Sequence, residues 1–164
     1  VIRRTPLALC GGLTATLVLA VTGCSSSSDS SSSSGSSSSS GGTPRLKVSG
    51  GYMPKPVSDM AAGFLTVVNS GRSGDRLTSI TSDISDDITI HKTENQTMRK
   101  VDSFDIPANG ELDLDRGGNH IMFANLKKRP AQGQEVGIEL HFEKADPIKV
   151  ELPVKETNYN PATH

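Results

Sequence analysis

Residues 25–40 are serine at every position except Asp29 and Gly35. A stretch of this kind buries too little apolar surface to offset the entropy of ordering it, so no core can run through it. Any fold must therefore lie to one side. The 23 residues before Cys24 are too few. The part after Thr43 has enough chain for one core, and it holds all six aromatic residues, all four His and all four Met, each at or after Tyr52. The tract itself, with Gly41, Gly42 and Thr43, reads as a tether whose flexible coil spans roughly 22–26 Å r.m.s.. A glycosylated stalk is the other reading, and it too makes the tract a spacer.

The segment before the tract has the layout of an export signal. Arg3 and Arg4 give a positive start, residues 6–21 (PLALCGGLTATLVLAV) an apolar middle, and Thr22-Gly23-Cys24 a small-residue end. The apolar run is shorter than the roughly 20 residues a membrane-spanning helix needs. Val21-Thr22-Gly23-Cys24 resembles the end of a bacterial lipoprotein signal, which implies cleavage before Cys24 and lipid attachment to its thiol, anchoring the chain at the extracytoplasmic face of the membrane. An ordinary signal peptide with an incidental Cys is the plainer alternative. The expected division is a signal over 1–23, lipidated Cys24 and linker over 24–43, a folded domain over 44–155 and a loose tail over 156–164. Cleavage would remove Arg3, Arg4 and Cys10, leaving a net charge of −3 and no thiol beyond the anchor. The balanced charge of the whole chain, −1, argues against a nucleic-acid binder.

Alternation with a period of two dominates the folded part. In Gln134–Glu143 it puts Val136, Ile138, Leu140 and Phe142 on one face, and in Asp87–His91 it separates Ile88 and Ile90 from Thr89 and His91. Phe64–Val68, Arg76–Ile80, Arg99–Phe104, Glu111–Leu114, His120–Leu126 and Ile148–Val154 read as further strands. Turn signals at Asn69-Ser70-Gly71, Ala108-Asn109-Gly110, Arg116-Gly117-Gly118-Asn119 and Ala145-Asp146-Pro147 divide them. Eight or nine short strands without a helical period predict an all-β sandwich or barrel.

Without Cys, an exported domain that binds a soft metal must use thioether and imidazole. His91, Met98, His120 and Met122 are the candidates. His120 and Met122 lie two apart on one strand and so share a face. His91 ends one strand and Met98 begins the next, so a hairpin would let them approach across its mouth. Thioether sulfur is soft and uncharged and suits Cu(I), whereas zinc sites use Cys, His and carboxylate. A blue-copper site needs a thiolate. Each residue also has a bland reading: a strand Met is ordinarily core filler, and His141, between Glu139 and Glu143, has the setting of a surface His. A metal-free β-sandwich interaction module therefore stays open on spacing alone. An anchored hydrolase is disfavoured, since the domain has no Gly-x-Ser-x-Gly elbow.

These residues resemble the PCuAC family of extracytoplasmic copper chaperones. That family carries His and Met, then 21 residues, then His-x-Met, and 21 residues separate Met98 from His120. Asn119-His120-Ile121-Met122-Phe123 is similar to its "HIM" segment. Ala61-Ala62-Gly63-Phe64-Leu65-Thr66, Asn69-Ser70-Gly71, Asp75-Arg76-Leu77, Ile106-Pro107 and Arg116-Gly117-Gly118 extend the likeness, which spans Leu46–Val154. The resemblance implies a cupredoxin-like β-sandwich, not an enzyme. It would bind Cu(I) and deliver it to the dinuclear copper centre of cytochrome c oxidase or to another copper chaperone; storage is an alternative. The chain departs from the pattern at His91. Lys92 follows it where the family often has Met, and six residues rather than about ten lead to Met98. Met53 and Met60 could add a thioether, although loop or core roles suit them better.

Overall fold

The computed structural model describes residues 42–161. The expected signal, Cys24 and the Ser tract lie outside the described residues. Ten strands are formed: β1 (Leu46–Pro54), β2 (Ala61–Asn69), β3 (Asp75–Ser82), β4 (Asp87–Glu94), β5 (Thr97–Val101), β6 (Phe104–Ile106), β7 (Gly110–Leu114), β8 (His120–Ala124), β9 (Glu135–Phe142) and β10 (Ile148–Lys155). They hydrogen-bond in the order β5-β4-β8-β2-β1-β10-β9-β3-β6, with β7 also on β2. The architecture is the expected all-β, cupredoxin-like sandwich.

Ten strands are one more than the upper end of the eight or nine expected, and two of the ten, β1 and β6, were not read from sequence as strands of their own. β1 is interrupted by a bulge: Gly50 has φ 65°, and the register with β2 shifts between Ser49 and Tyr52. The extra residue breaks the alternation that marks a strand. The stretch Arg99–Phe104, read as one strand, is two. β5 pairs with β4, whereas β6 pairs with β3, so the chain changes sheets at Asp102-Ser103.

β2 organises the half that carries the candidate site. One of its edges pairs with β1; the other pairs with β8 through Ala61–Gly63 and with β7 through Leu65–Asn69. The ladder β5-β4-β8-β2 turns Ile90, Ile121, Phe123 and Ala61 into the core, where they meet Leu152, Val136, Ile138 and Leu140 from β9 and β10. Gly63 permits this closeness, because a Cβ there would press on Phe123 and on Leu152 of β10. The residues alternating with this core set form the outer face of the ladder.

At the far end of β2, Asn69 is buried at 1% exposure. Its Oδ1 accepts from the amides of Arg45 (3.0 Å) and Gly71 (2.9 Å), and its Nδ2 donates to the carbonyls of Ser73 (2.9 Å) and Pro107 (3.1 Å). Within the segment expected as a loose tail, the described residues 156–161 lie against the domain. Arg116 donates to the carbonyls of Thr157 (3.3 Å) and Tyr159 (2.9 Å), and the Tyr159 ring meets Tyr52 edge-on at 5.0 Å.

Candidate metal site

Antiparallel partners share a face, so the register reads out the site. His91 of β4 lies opposite His120 of β8, and Thr89 lies opposite Met122. The two imidazoles stack with centroids 5.5 Å apart at 26°. His91, His120 and Met122 thus stand together on the outer face, while Ile90, Ile121 and Phe123 between them anchor the strands in the core. The expectation from His-x-Met spacing, that His120 and Met122 share a face, matches this arrangement.

His120 is held firmly. It is 6% exposed, and its Nδ1 lies 3.0 Å from the Gly118 carbonyl oxygen. A carbonyl only accepts, so Nδ1 carries the proton and Nε2 keeps its lone pair for a metal. The Thr93 hydroxyl donates to the same carbonyl at 2.8 Å, which ties the Gly118 turn to β4. That turn runs from Asp115 to Gly118, whose amide donates back to the Asp115 carbonyl at 3.1 Å. Gly117 supplies its φ of 92°, the conformation a type II turn needs at its third residue. His91 Nε2 lies 2.9 Å from the Thr89 hydroxyl. Burial above all, then the neighbouring His120 and Lys100, push its pKa below the ordinary value of 6.5.

The hairpin expectation needs correction. β4 runs on to Glu94 and β5 starts at Thr97, so the connection is the two-residue turn Asn95-Gln96. Both residues have positive φ, 50° and 62°, the type I′ form that suits a two-residue hairpin. The register this sets places Lys100, not Met98, opposite His91. Met98 faces Thr93, one diagonal step from His91 on the same outer face, and is 59% exposed. It is further removed from Met122, with β4 between their strands. Met53 is fully buried in the core. Thr89, Thr93, Gly118 and Lys100 are the site residues missed from sequence. The two threonines were findable, since they share the period-two face of His91.

His141 sits apart from this group, on β9 opposite Ser79 of β3. It contacts the Thr81 hydroxyl at 3.2 Å and Glu139 at 3.8 Å, as its surface reading predicts. Among the described residues no three of His, Cys, Asp and Glu gather into a metal-binding group. The further donors on the face of the His pair are the thioethers of Met122 and Met98, which suit hard cations poorly.

Known proteins share this fold. Among solved structures, the apo PCuAC domain of PmoF2 superimposes with a TM-score of 0.64 at 20% identity, covering 73% of this chain and 98% of that one. The copper-bound PCuAC domain from PmoF2 gives 0.61 at 22%, covering 68% and 92%. The solution structure of CuI-DR1885 from Deinococcus radiodurans gives 0.58 at 24%, covering 66% and 77%. The fold is thus that of PCuAC domains. A curated relative, "Putative lipoprotein Lxx21020" of Leifsonia xyli subsp. xyli (strain CTCB07), is 29% identical over 147 residues, 87% of this chain and 86% of its own. The family model described as "Putative lipoprotein LpqE-like" matches residues 46–154, so the chain belongs to the LpqE-like lipoprotein family.

Proposed function

We propose that this protein is an extracytoplasmic Cu(I) chaperone, held at the membrane by lipid on Cys24, that binds copper and hands it to an acceptor and catalyses no reaction. The observation that carries the reading is the stacked His91–His120 pair with Met122 on the same face. His120 Nε2, one nitrogen of His91 and the Met122 sulfur supply a soft, neutral donor set for a monovalent ion. Met98 joins as a fourth donor only by reaching diagonally across the β4–β5 hairpin. The outer-face position keeps the ion within reach of an acceptor, to which it passes by ligand exchange. A thiolate-rich centre, such as the dinuclear copper centre of cytochrome c oxidase or a second copper chaperone, is the chemistry that would draw Cu(I) from neutral ligands. The similar PmoF2 and DR1885 domains are known in copper-bound form, which supports the same reading, and the lipoprotein relative supports the anchor.

The test is competition with a coloured Cu(I) chelator, using the full chain with Cys10→Ser and Cys24→Ser so that thiols do not compete. His120→Ala and Met122→Ala are each expected to weaken binding at least tenfold, the scale on which loss of a ligand or its support reduces metal affinity. His141→Ala is expected to leave binding unchanged. Equal losses in all three variants would overturn the site. No binding by the parent would favour a metal-free surface module.

A further inference from the structure

The described domain holds four methionines. Met53 is core, paired with Val154 and wholly buried. The other three share the outer face with the two histidines. Met98 lies one diagonal step from His91, and Met122 stands two residues from His120. Met60 completes the set. Ala61 pairs with Phe123 towards the core, and Ala62 pairs with Met122 on the outer face. Met60 immediately precedes β2 and is exposed; two residues before Ala62, it stands near the diagonal from Met122, a separation of about 7–8 Å between Cα atoms in a regular ladder. Two long, unbranched thioether side chains can meet on one ion across that distance.

Met60 is also pinned in place. The Leu126 amide donates to the Asp59 carbonyl at 2.9 Å, and the Met60 amide donates to the Ser58 hydroxyl at 3.3 Å. The Ala61–Phe123 pairing holds the residue after Met60 against β8, and the Asp59–Leu126 bond holds the residue before it against the segment that follows β8. Its side chain is 48% exposed, while His120 is 6% exposed. The soft donors thus form a line across β5, β4 and β8 to the residue that leads into β2, with exposed methionines at its ends and the buried imidazole between.

Resting on the copper reading above, we infer that Met60 is a further Cu(I) ligand. It shares Met122 with the His91–His120 position and forms an outer station through which the ion enters and leaves. A move from the inner to the outer position breaks copper–nitrogen bonds and forms one copper–sulfur bond. The ion remains Cu(I), thioethers carry no proton to lose, and the acceptor's ligand completes the exchange.

The experiment uses the full chain with Cys10→Ser and Cys24→Ser, labelled with ¹³C at the Met ε-methyls and titrated anaerobically with Cu(I). The Met122 methyl is expected to move during the first equivalent and the Met60 methyl during further addition, while Met53 stays still. Met60→Leu keeps an apolar side chain at an exposed position and removes only the sulfur. It is expected to hold the first equivalent with parental affinity and to release it several-fold more slowly to a coloured Cu(I) chelator. A Met60 methyl that stays still while Met122 moves would overturn this inference and leave the inner site standing, as would parental release from Met60→Leu. If no methyl moves, the copper reading itself fails, and this inference with it.

Discussion

A single carbonyl oxygen, that of Gly118, orders the chemistry of the site. It accepts from His120 Nδ1 and from the Thr93 hydroxyl, so it fixes a tautomer and joins β4 to the turn before β8. His91 has looser support from Thr89, and its environment favours the neutral ring. In the unfolded chain its imidazole takes a proton near pH 6.5; in the folded chain it does so only at lower pH. The unfolded state then binds more protons across that interval, so metal-free stability declines as pH falls through it and levels off below the folded pKa. Melting temperatures of the metal-free protein from about pH 7.5 down to about pH 5 should show the decline, and His91→Gln should make it shallower. Protons compete with copper for the same lone pairs, so Cu(I) affinity should fall over the same range, for His91 later than for a free imidazole. A flat affinity would remove His91 from the ligand set.

At the scale of elements, the β4–β5 hairpin decides which donors meet. The pairing of His120 with Met122 on one face was legible because strand alternation is local and the interval is two residues. The partner of His91 was not, because it depends on a turn. Asn95-Gln96 takes two positive φ values without the glycine that usually marks them, so the loop read as longer than it is and Met98 as opposite His91. The same locality explains the strands. β9 alternates cleanly and was read with nearly its observed limits, whereas the Gly50 bulge hid β1. The register carries its own prediction. Lys100 occupies the cross-strand position where a third donor in the His91–His120 row would stand, and its ammonium opposes a cation there. Lys100→Met replaces that charge with a thioether and should tighten Cu(I) binding roughly tenfold, about 1.4 kcal/mol. Chelator competition measures this directly, and weaker binding would show that the row does not extend to β5.

For the whole molecule, the sandwich was legible from its many short alternating segments, but its closure was not. The only parallel pairing among the described strands joins β1 to β10 through Met53–Val154 and Pro54–Lys155, and nothing local in either strand encodes it. Asn69 plays a comparable long-range part at the opposite end of β2, where its one side chain joins four backbone groups from separate stretches of chain. Asn69→Ala would leave these buried groups without partners and should cost about 2–4 kcal/mol, given about 1–3 kcal/mol for each unsatisfied buried group and partial rescue by water. Chemical denaturation measures the loss. Copper affinity of the folded variant should be unchanged, since Asn69 is remote from His120.

That remoteness has a direction. The chain enters the domain beside Asn69, where Arg45 is hydrogen-bonded and β1 begins. The face of the candidate site meets β2 at Ala62, opposite Met122. The seven-residue interval along the strand amounts to about 24 Å. The candidate site therefore sits at the pole of the domain opposite to the one where β1 begins. On the proposed copper reading, an acceptor would dock at the pole far from Arg45 and leave the end around Asn69 uncovered.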